Sequence, residues 1–346
     1  MTLPQVLTRT VARSLRIQII LAASTPTRSV ALACLLALLM LPQSGASQSP
    51  SAVPVRATAA DTPRNIHPLR SKVELVQLAV TVTDPYDRMV VGLQREHFKI
   101  FEDKVQQEIS HFMTQDLPVS IGIVLDLSGS MADKSTYVQN ALREFVRGAN
   151  PQDEYFLVLV ADHARLVHPF TRDPENFGLA LMHEQVKGRT ALLDGVYLGM
   201  TYLQKARYER RALLVVSDGA DNHSRFNERD VQRAVKESDV QIHTIGVFGD
   251  LGAPGVRMEE VWGPELLAEL AENSGGRTFE VHDMRQLNNV AANISLALRN
   301  QYTIGYQSSN KKSDGKWRKV KVQLKPPKGI GGLRAFARRG YFAPSM

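Results

Sequence analysis

The 346-residue sequence contains one cysteine, Cys34, and that scarcity excludes two ways of holding a fold together. A lone thiol closes no internal disulfide and builds no thiolate metal site, so the chain must fold by burying apolar surface. Its 43% hydrophobic content is enough for a sizeable core. Familiar catalytic signatures are missing as well. Ser128 lies between Leu127 and Gly129-Ser130 and so lacks a G-x-S-x-G frame. His183-Glu184 is followed by Lys187 where a zinc protease needs its second histidine, and no G-x-x-x-x-G-K-[ST] phosphate loop occurs. The expectation is a binding protein rather than an enzyme, with no nucleic acid among its partners.

Long apolar runs are equally scarce. The unbroken run Val30–Leu41 has about a dozen residues, short of the roughly 20 that a spanning helix needs. Arg9, Arg13, Arg16 and Arg28 precede it, while Pro42 and the small residues Ser44, Gly45, Ala46 and Ser47 follow. That is the order of a secretory signal peptide over residues 1–47, and it predicts export to a periplasmic, cell-surface or secreted location. Residues 48–69, rich in Ser, Ala, Pro and Thr without periodic apolar positions, read as a flexible linker.

The formal charge of +7 loses four arginines with residues 1–47, leaving +3 from 38 basic and 35 acidic residues. Residues 311–339 hold eleven Lys and Arg against one Asp, so the rest sums to −7, from 27 basic and 34 acidic residues. Two readings of that basic stretch stay open. It can meet a phosphate-rich partner or make peripheral contact with a membrane surface, or it can be a solvated strand face in which Lys319, Lys321 and Lys325 interleave with Val320, Val322 and Leu324.

Apolar periodicity divides the remainder. Residues 70–117 alternate in the manner of strands: Val73 to Val82, a hairpin partner at Met89 to Leu93, then Phe98 to Glu102 and Val105 to Met113. Residues 118–299 change to continuous apolar strands separated by amphipathic helices, the pattern of a mostly parallel sheet covered on both faces. Strands return in residues 300–346, at Tyr302 to Gln307, Trp317 to Leu324 and Leu333 to Tyr341. Neither terminal segment is large enough to bury a core alone. The predicted fold is therefore an α/β, doubly wound, Rossmann-like domain inserted between β segments that pair into a small sandwich-like unit.

The first α/β strand, Val119 to Leu125, runs into Asp126-Leu127-Ser128-Gly129-Ser130. Three oxygen-bearing side chains on alternate residues can converge on one point at the carboxyl edge, where open α/β sheets bind ligands. Thr190 follows Lys187-Gly188-Arg189 at a helix start, and Asp218 follows the strand Leu213 to Val216 in Ser217-Asp218-Gly219. The set Asp126, Ser128, Ser130, Thr190 and Asp218 offers two carboxylates and three hydroxyls. Hard oxygen donors without His or Cys select Mg²⁺, with Mn²⁺ or Ca²⁺ as alternatives. No histidine falls where the sequence assigns it to this crevice.

In these residues the chain resembles the metal-ion-dependent adhesion site of von Willebrand factor A domains, whose D-x-S-x-S, later Thr and later S-D-G Asp are all present. Gly188-Arg189-Thr190-Ala191-Leu192-Leu193-Asp194 and Arg338-Arg339-Gly340-Tyr341-Phe342-Ala343-Pro344 are similar to the bacterial von Willebrand factor A-related proteins. The resemblance covers about residues 70–344. It implies one divalent ion and binding of a protein partner that offers an acidic residue as the last ligand. Asp194 reads either as a support of the site or as a solvent-facing helix carboxylate. Phe248, Asp250 and Arg257, in a glycine-rich segment after a strand's carboxyl end, are candidate partner contacts, and so is Asp221. The competing expectation is a structural or assembly factor that meets its partners through the β segments.

Overall fold

Alternating apolar and polar residues draw the chain after residue 74 into strands that each bury one face. The computed structural model describes residues 75–345 apart from 175, 183, 185, 249–257, 328 and 330. The expected signal peptide and linker, residues 1–69, lie outside the described residues. Strands β1 (Leu75–Thr83), β2 (Phe98–Glu102), β3 (Val105–Gln107) and β4 (Ile109–Met113) open it. The chain closes with β11 (Tyr302–Gln307), β12 (Trp317–Leu324), β13 (Arg334–Phe336) and β14 (Gly340–Phe342). These strands interleave as two four-stranded sheets, β13-β1-β11-β4 and β14-β12-β2-β3. Leu78, Val80, Ile100, Ile304 and Tyr306 fill the space between them. The β segments before and after the central region thus pair with one another, Leu75 opposite Gln307 and Val322 opposite Ile100.

Three expectations about these strands need correction. Residues 89–93 form no strand with β1 beyond one bridge, Thr83 to Met89. β11 pairs with β1 from Leu75 to Val80 and β13 with its other edge from Thr81 to Thr83, which leaves residues 89–90 only the end of the strand, where Val90 N–H donates to Val82 O (2.9 Å). The Tyr302 hydroxyl meanwhile accepts from Leu93 N–H (3.1 Å) and donates to Val90 O (2.9 Å). Residues 105–113 are two strands, because the chain turns at Glu108 from one sheet to the other. The same change of sheet divides 333–341 into β13 and β14.

Between the two β segments lies a sheet in the order β10-β9-β8-β5-β6-β7, whose strands are β5 (Ser120–Asp126), β6 (Glu154–Val160), β7 (Arg165–Thr171), β8 (Arg211–Ser217), β9 (Gln241–Val247) and β10 (Thr278–Val281). All neighbours run parallel except β7, which is antiparallel at one edge. Helices α1 (Ser135–Arg147) and α6 (Leu287–Arg299) cover one face through Phe145, Ile294 and their neighbours. The other face is covered by α3 (Leu192–Tyr202), α4 (Glu228–Glu237) and α5 (Met258–Ser274), with Val196, Val231 and Leu267 buried. Helix α2 (Asn176–Met182) adds Phe177 and Leu181 to the core beneath α1 and α6. This two-sided cover explains why β5, β6 and β9 are buried along their whole lengths. It also sets the position of the polar motif. Strand order reverses at β5, so the crevice between the carboxyl ends of β5 and β8 is the switch point of the sheet.

Candidate metal centre

Asp126 is the last residue of β5, and its side chain is completely buried. Its Oδ1 accepts from Ser128 N–H (2.8 Å) and its Oδ2 from the Ser217 hydroxyl (2.6 Å), which in turn accepts from Gly219 N–H (2.9 Å). The carboxylate thereby fixes two loops at once, its own and the one that follows β8. Burial, then the charge of nearby Asp218, pushes the Asp126 carboxyl from 3.8 up to about 6. Ser128 is buried and Ser130 half-buried, and their hydroxyls lie 3.2 Å apart. After them the chain tightens into a 3-10 turn, Gly129–Lys134, anchored in the core by Met131.

Backbone hydrogen bonds bring in the other loops. Gly129 N–H donates to Gly188 O (3.3 Å) and Lys187 N–H to Leu127 O (3.0 Å), which lays the segment before Thr190 along the serine loop. Thr190 O accepts from both Asn222 N–H and His223 N–H, each at 3.1 Å, and so ties that segment to the loop carrying Asp218. Two glycines permit the approach. Gly188 has φ +95°, and a Cβ there would lie 2.8 Å from the Asp162 carboxylate oxygens; Gly219 has φ +79°, and a Cβ would lie 2.4 Å from Gly263 O.

The predicted donors Asp126, Ser128, Ser130, Thr190 and Asp218 therefore sit on three interlocked loops at one sheet edge. Whether they suit a cation can be judged from Asp218, which is 3% exposed. Its Oδ1 accepts from Ala220 N–H (3.3 Å), while Oδ2 is buried without a hydrogen bond. The nearest cation, Lys134 Nζ, stands 4.0 Å from Oδ2 and spends a proton on Val247 O at 2.9 Å. An orphaned carboxylate oxygen facing a second buried carboxylate is unfavourable unless a positive charge joins them. Among the described residues no cluster of three or more His, Cys, Asp or Glu could hold a metal, so an ion held at this edge would need the hydroxyls too. The donor set fits a hard divalent ion.

Two further carboxylates brace this edge, and the contacts decide between the two readings of the first. Asp194, on α3, is neither solvent-facing nor free: its Oδ1 accepts from Arg225 N–H (2.9 Å) and Phe226 N–H (3.1 Å), and its Oδ2 from Arg225 Nε (3.1 Å). Asp221, a candidate partner contact or turn cap by sequence, accepts from Leu193 N–H (2.8 Å) and Ser224 N–H (3.1 Å). The two carboxylates staple α3 and the loop after Asp218 together. The expectation for Phe248 is corrected. It is 1% exposed and packs against Gly246 in the core, so it offers nothing to a partner. Asp250 and Arg257 lie outside the described residues. Two histidines unassigned by sequence do stand at the rim: the rings of His163 and His223 are 5.8 Å apart, and Arg189 reaches His223 Nδ1 at 3.4 Å.

The chain matches the von Willebrand factor type A domain family over residues 120–293, just over half its length. It is 28% identical over 184 residues to an uncharacterised protein of Borreliella burgdorferi, covering 47% of this chain and 54% of that one. An uncharacterised protein of Synechocystis sp. is 25% identical over 193 residues, covering 52% of this chain and 43% of that one. The chain thus spans about half the length of these curated relatives. Among solved structures, a von Willebrand factor type A protein from Catenulispora acidiphila is similar at 13% identity, with 78% of this chain and 75% of that one covered and a TM-score of 0.46. The family match over the whole α/β region establishes that this chain belongs to the von Willebrand factor type A domain family.

Proposed function

We propose that this chain is an exported, metal-dependent protein-binding protein in which Asp126, Ser128, Ser130, Thr190 and Asp218 hold one divalent ion, Mg²⁺ by preference and Mn²⁺ or Ca²⁺ as alternatives. An acidic side chain of a protein partner completes the coordination. The observation that carries this reading is the buried Oδ2 of Asp218, which accepts no hydrogen bond and has only Lys134 Nζ at 4.0 Å, beside the buried carboxylate of Asp126. A bound cation supplies a Lewis-acidic position that a carboxylate can fill. The chain's own groups do the rest. Asp126 and Asp218 neutralise the ion only in part when hydroxyls fill the other positions, which leaves attraction for a third carboxylate. Exposed Arg189, beside Thr190, adds positive charge at the rim and favours an acidic approach. No residue is given a catalytic role. Export rests on the signal-like order of residues 1–47.

Calorimetric titration of the full chain with Mg²⁺ tests the reading. A single site is expected, lost in Asp126→Ala while the circular dichroism spectrum is retained. Capture from a native extract should fail in chelator and return when Mg²⁺ is restored. Equal metal affinity in wild type and Asp126→Ala rejects the site. Capture indifferent to chelator transfers partner binding to the β segments.

A further inference from the structure

Strand register defines a second surface on the sheet β14-β12-β2-β3. Trp317 lies opposite Phe342, Lys319 opposite Gly340, Lys321 opposite Phe101 and Gln323 opposite Lys99. Directly opposed residues of antiparallel strands project to the same side. Lys99, Lys319 and Lys321 therefore share one face with Phe101, Trp317 and Phe342, while Ile100, Glu102 and Val320 point the other way and are buried.

The basic residues of 311–339 sort by type. The arginines are consumed in ion pairs: Arg318 with Asp314 (2.7 Å), Arg334 with Asp87 (2.5 Å), Arg339 with Glu272 (2.5 Å), and Arg338 with Asp239. The lysines are not. Lys99, Lys319, Lys321 and Lys325 are exposed, and among the described residues none makes an ion pair or a side-chain hydrogen bond. Asp103, in the turn after β2, accepts from the backbone N–H of Lys319 (2.9 Å). With three lysines against that one carboxylate, the face keeps a net positive charge.

Its aromatic residues form a surface of their own. The Trp317 indole covers Gly340, where a Cβ would come within 2.4 Å of the ring. It meets the Phe342 ring edge-on, with centroids 5.0 Å apart, and Phe342 is 41% exposed. A strand face that only needs solvation has no use for aromatic rings on its wet side. Rings beside unpaired ammonium groups suit the headgroup zone of a bilayer, where aromatics sit at the interface and lysines meet lipid phosphates. A sheet face meets a planar surface with several strands at once, whereas a single polymer strand would engage only part of it.

We propose that this outer face docks on an anionic phospholipid surface. None of its residues belongs to the five-residue site, so the two readings stand or fall separately.

The sequence has two tryptophans, so Trp262→Phe in the full chain leaves Trp317 as the only one and makes its emission a reporter of this face. Phosphatidylcholine vesicles containing phosphatidylglycerol should shift that emission to the blue, in chelator as in Mg²⁺, and phosphatidylcholine alone should not. Adding Lys319→Gln and Lys321→Gln should weaken the response about thirty-fold, about five-fold for each lysine. Emission indifferent to phosphatidylglycerol overturns the proposal, as does undiminished binding by the lysine variant with an unchanged circular dichroism spectrum. A Trp317 response to duplex DNA or heparin but not to vesicles also overturns it, in favour of a polyanionic polymer.

Discussion

Replacing Asp126 by asparagine separates the charge of the metal centre from its shape. Burial and the neighbouring Asp218 raise the Asp126 carboxyl from 3.8 to about 6. In metal-free protein at neutral pH, keeping it ionised costs on the order of 3 kcal/mol relative to the unfolded chain. Because the folded pKa lies above the unfolded one, the folded state binds more protons between these values. The contribution to stability is therefore complete below 3.8 and is lost as pH rises through about 6. Asparagine keeps an oxygen for Ser128 N–H and turns its amide toward the Ser217 hydroxyl, which must then accept instead of donate. The weaker bonds cost about 1–2 kcal/mol. Without metal at neutral pH the variant should be about 1–2 kcal/mol more stable than wild type. Mg²⁺ at a hundredfold excess over its Kd should add about 2.7 kcal/mol to wild type and far less to the variant. Urea denaturation in chelator from about pH 4 to about pH 7, repeated with Mg²⁺, reads both effects. The reasoning fails if Asp126→Asn is the less stable protein in chelator at neutral pH, or if Mg²⁺ raises both midpoints equally.

Two further perturbations probe the surroundings. Asp194→Asn removes no donor but loosens the loop after Asp218, so Mg²⁺ affinity should drop about ten- to a hundredfold by calorimetry; an unchanged affinity would mean that the loop holds itself. His243 on β9 is buried without a partner for either ring nitrogen, and burial, aided by Arg277, lowers its pKa to about 3. The unfolded chain takes up this proton below about 6.5, so the histidine costs stability as pH falls, about 3 kcal/mol by about pH 4. His243→Leu should remove that share of the acid sensitivity, and parallel urea midpoints for the two proteins across this range would refute the assignment.

The gathering of the polar loops at one sheet edge was legible because the serine loop's pattern is local. A period of two at the end of an apolar strand places Asp126, Ser128 and Ser130 on one side, and the sheet edge is where such strands stop. What braces the site was legible only in part, since Asp194 read equally as a support and as a solvent-facing carboxylate. Asp194 and Asp221 work through backbone N–H groups of distant segments, and no periodicity distinguishes a carboxylate aimed at an amide from one aimed at solvent. Phe248 misled because a residue after a strand's carboxyl end reads as loop, whereas its ring fills the space that Gly246 leaves open. The sandwich was foreseen from size alone, since neither β segment could bury a core. Its corners were not foreseen: Gln107 and Ile109 are both buried, so the alternation runs unbroken through the point where the chain changes sheets. Residues 89–93 carry a strand's composition, but a tyrosine hydroxyl took the hydrogen bonds that a hairpin would have used.

The lodging of β1 between β11 and β13 has a consequence for biogenesis. The flanks of this early strand are covered mainly by strands made after the α/β region, so during synthesis it waits with most of its amides bare while that region takes shape. Premature termination before Arg334 would leave a ready template for self-association. Arrival of β11 and β13 is what renders the polypeptide safe from its own kind, and their loss is a more dangerous lesion than their small size suggests.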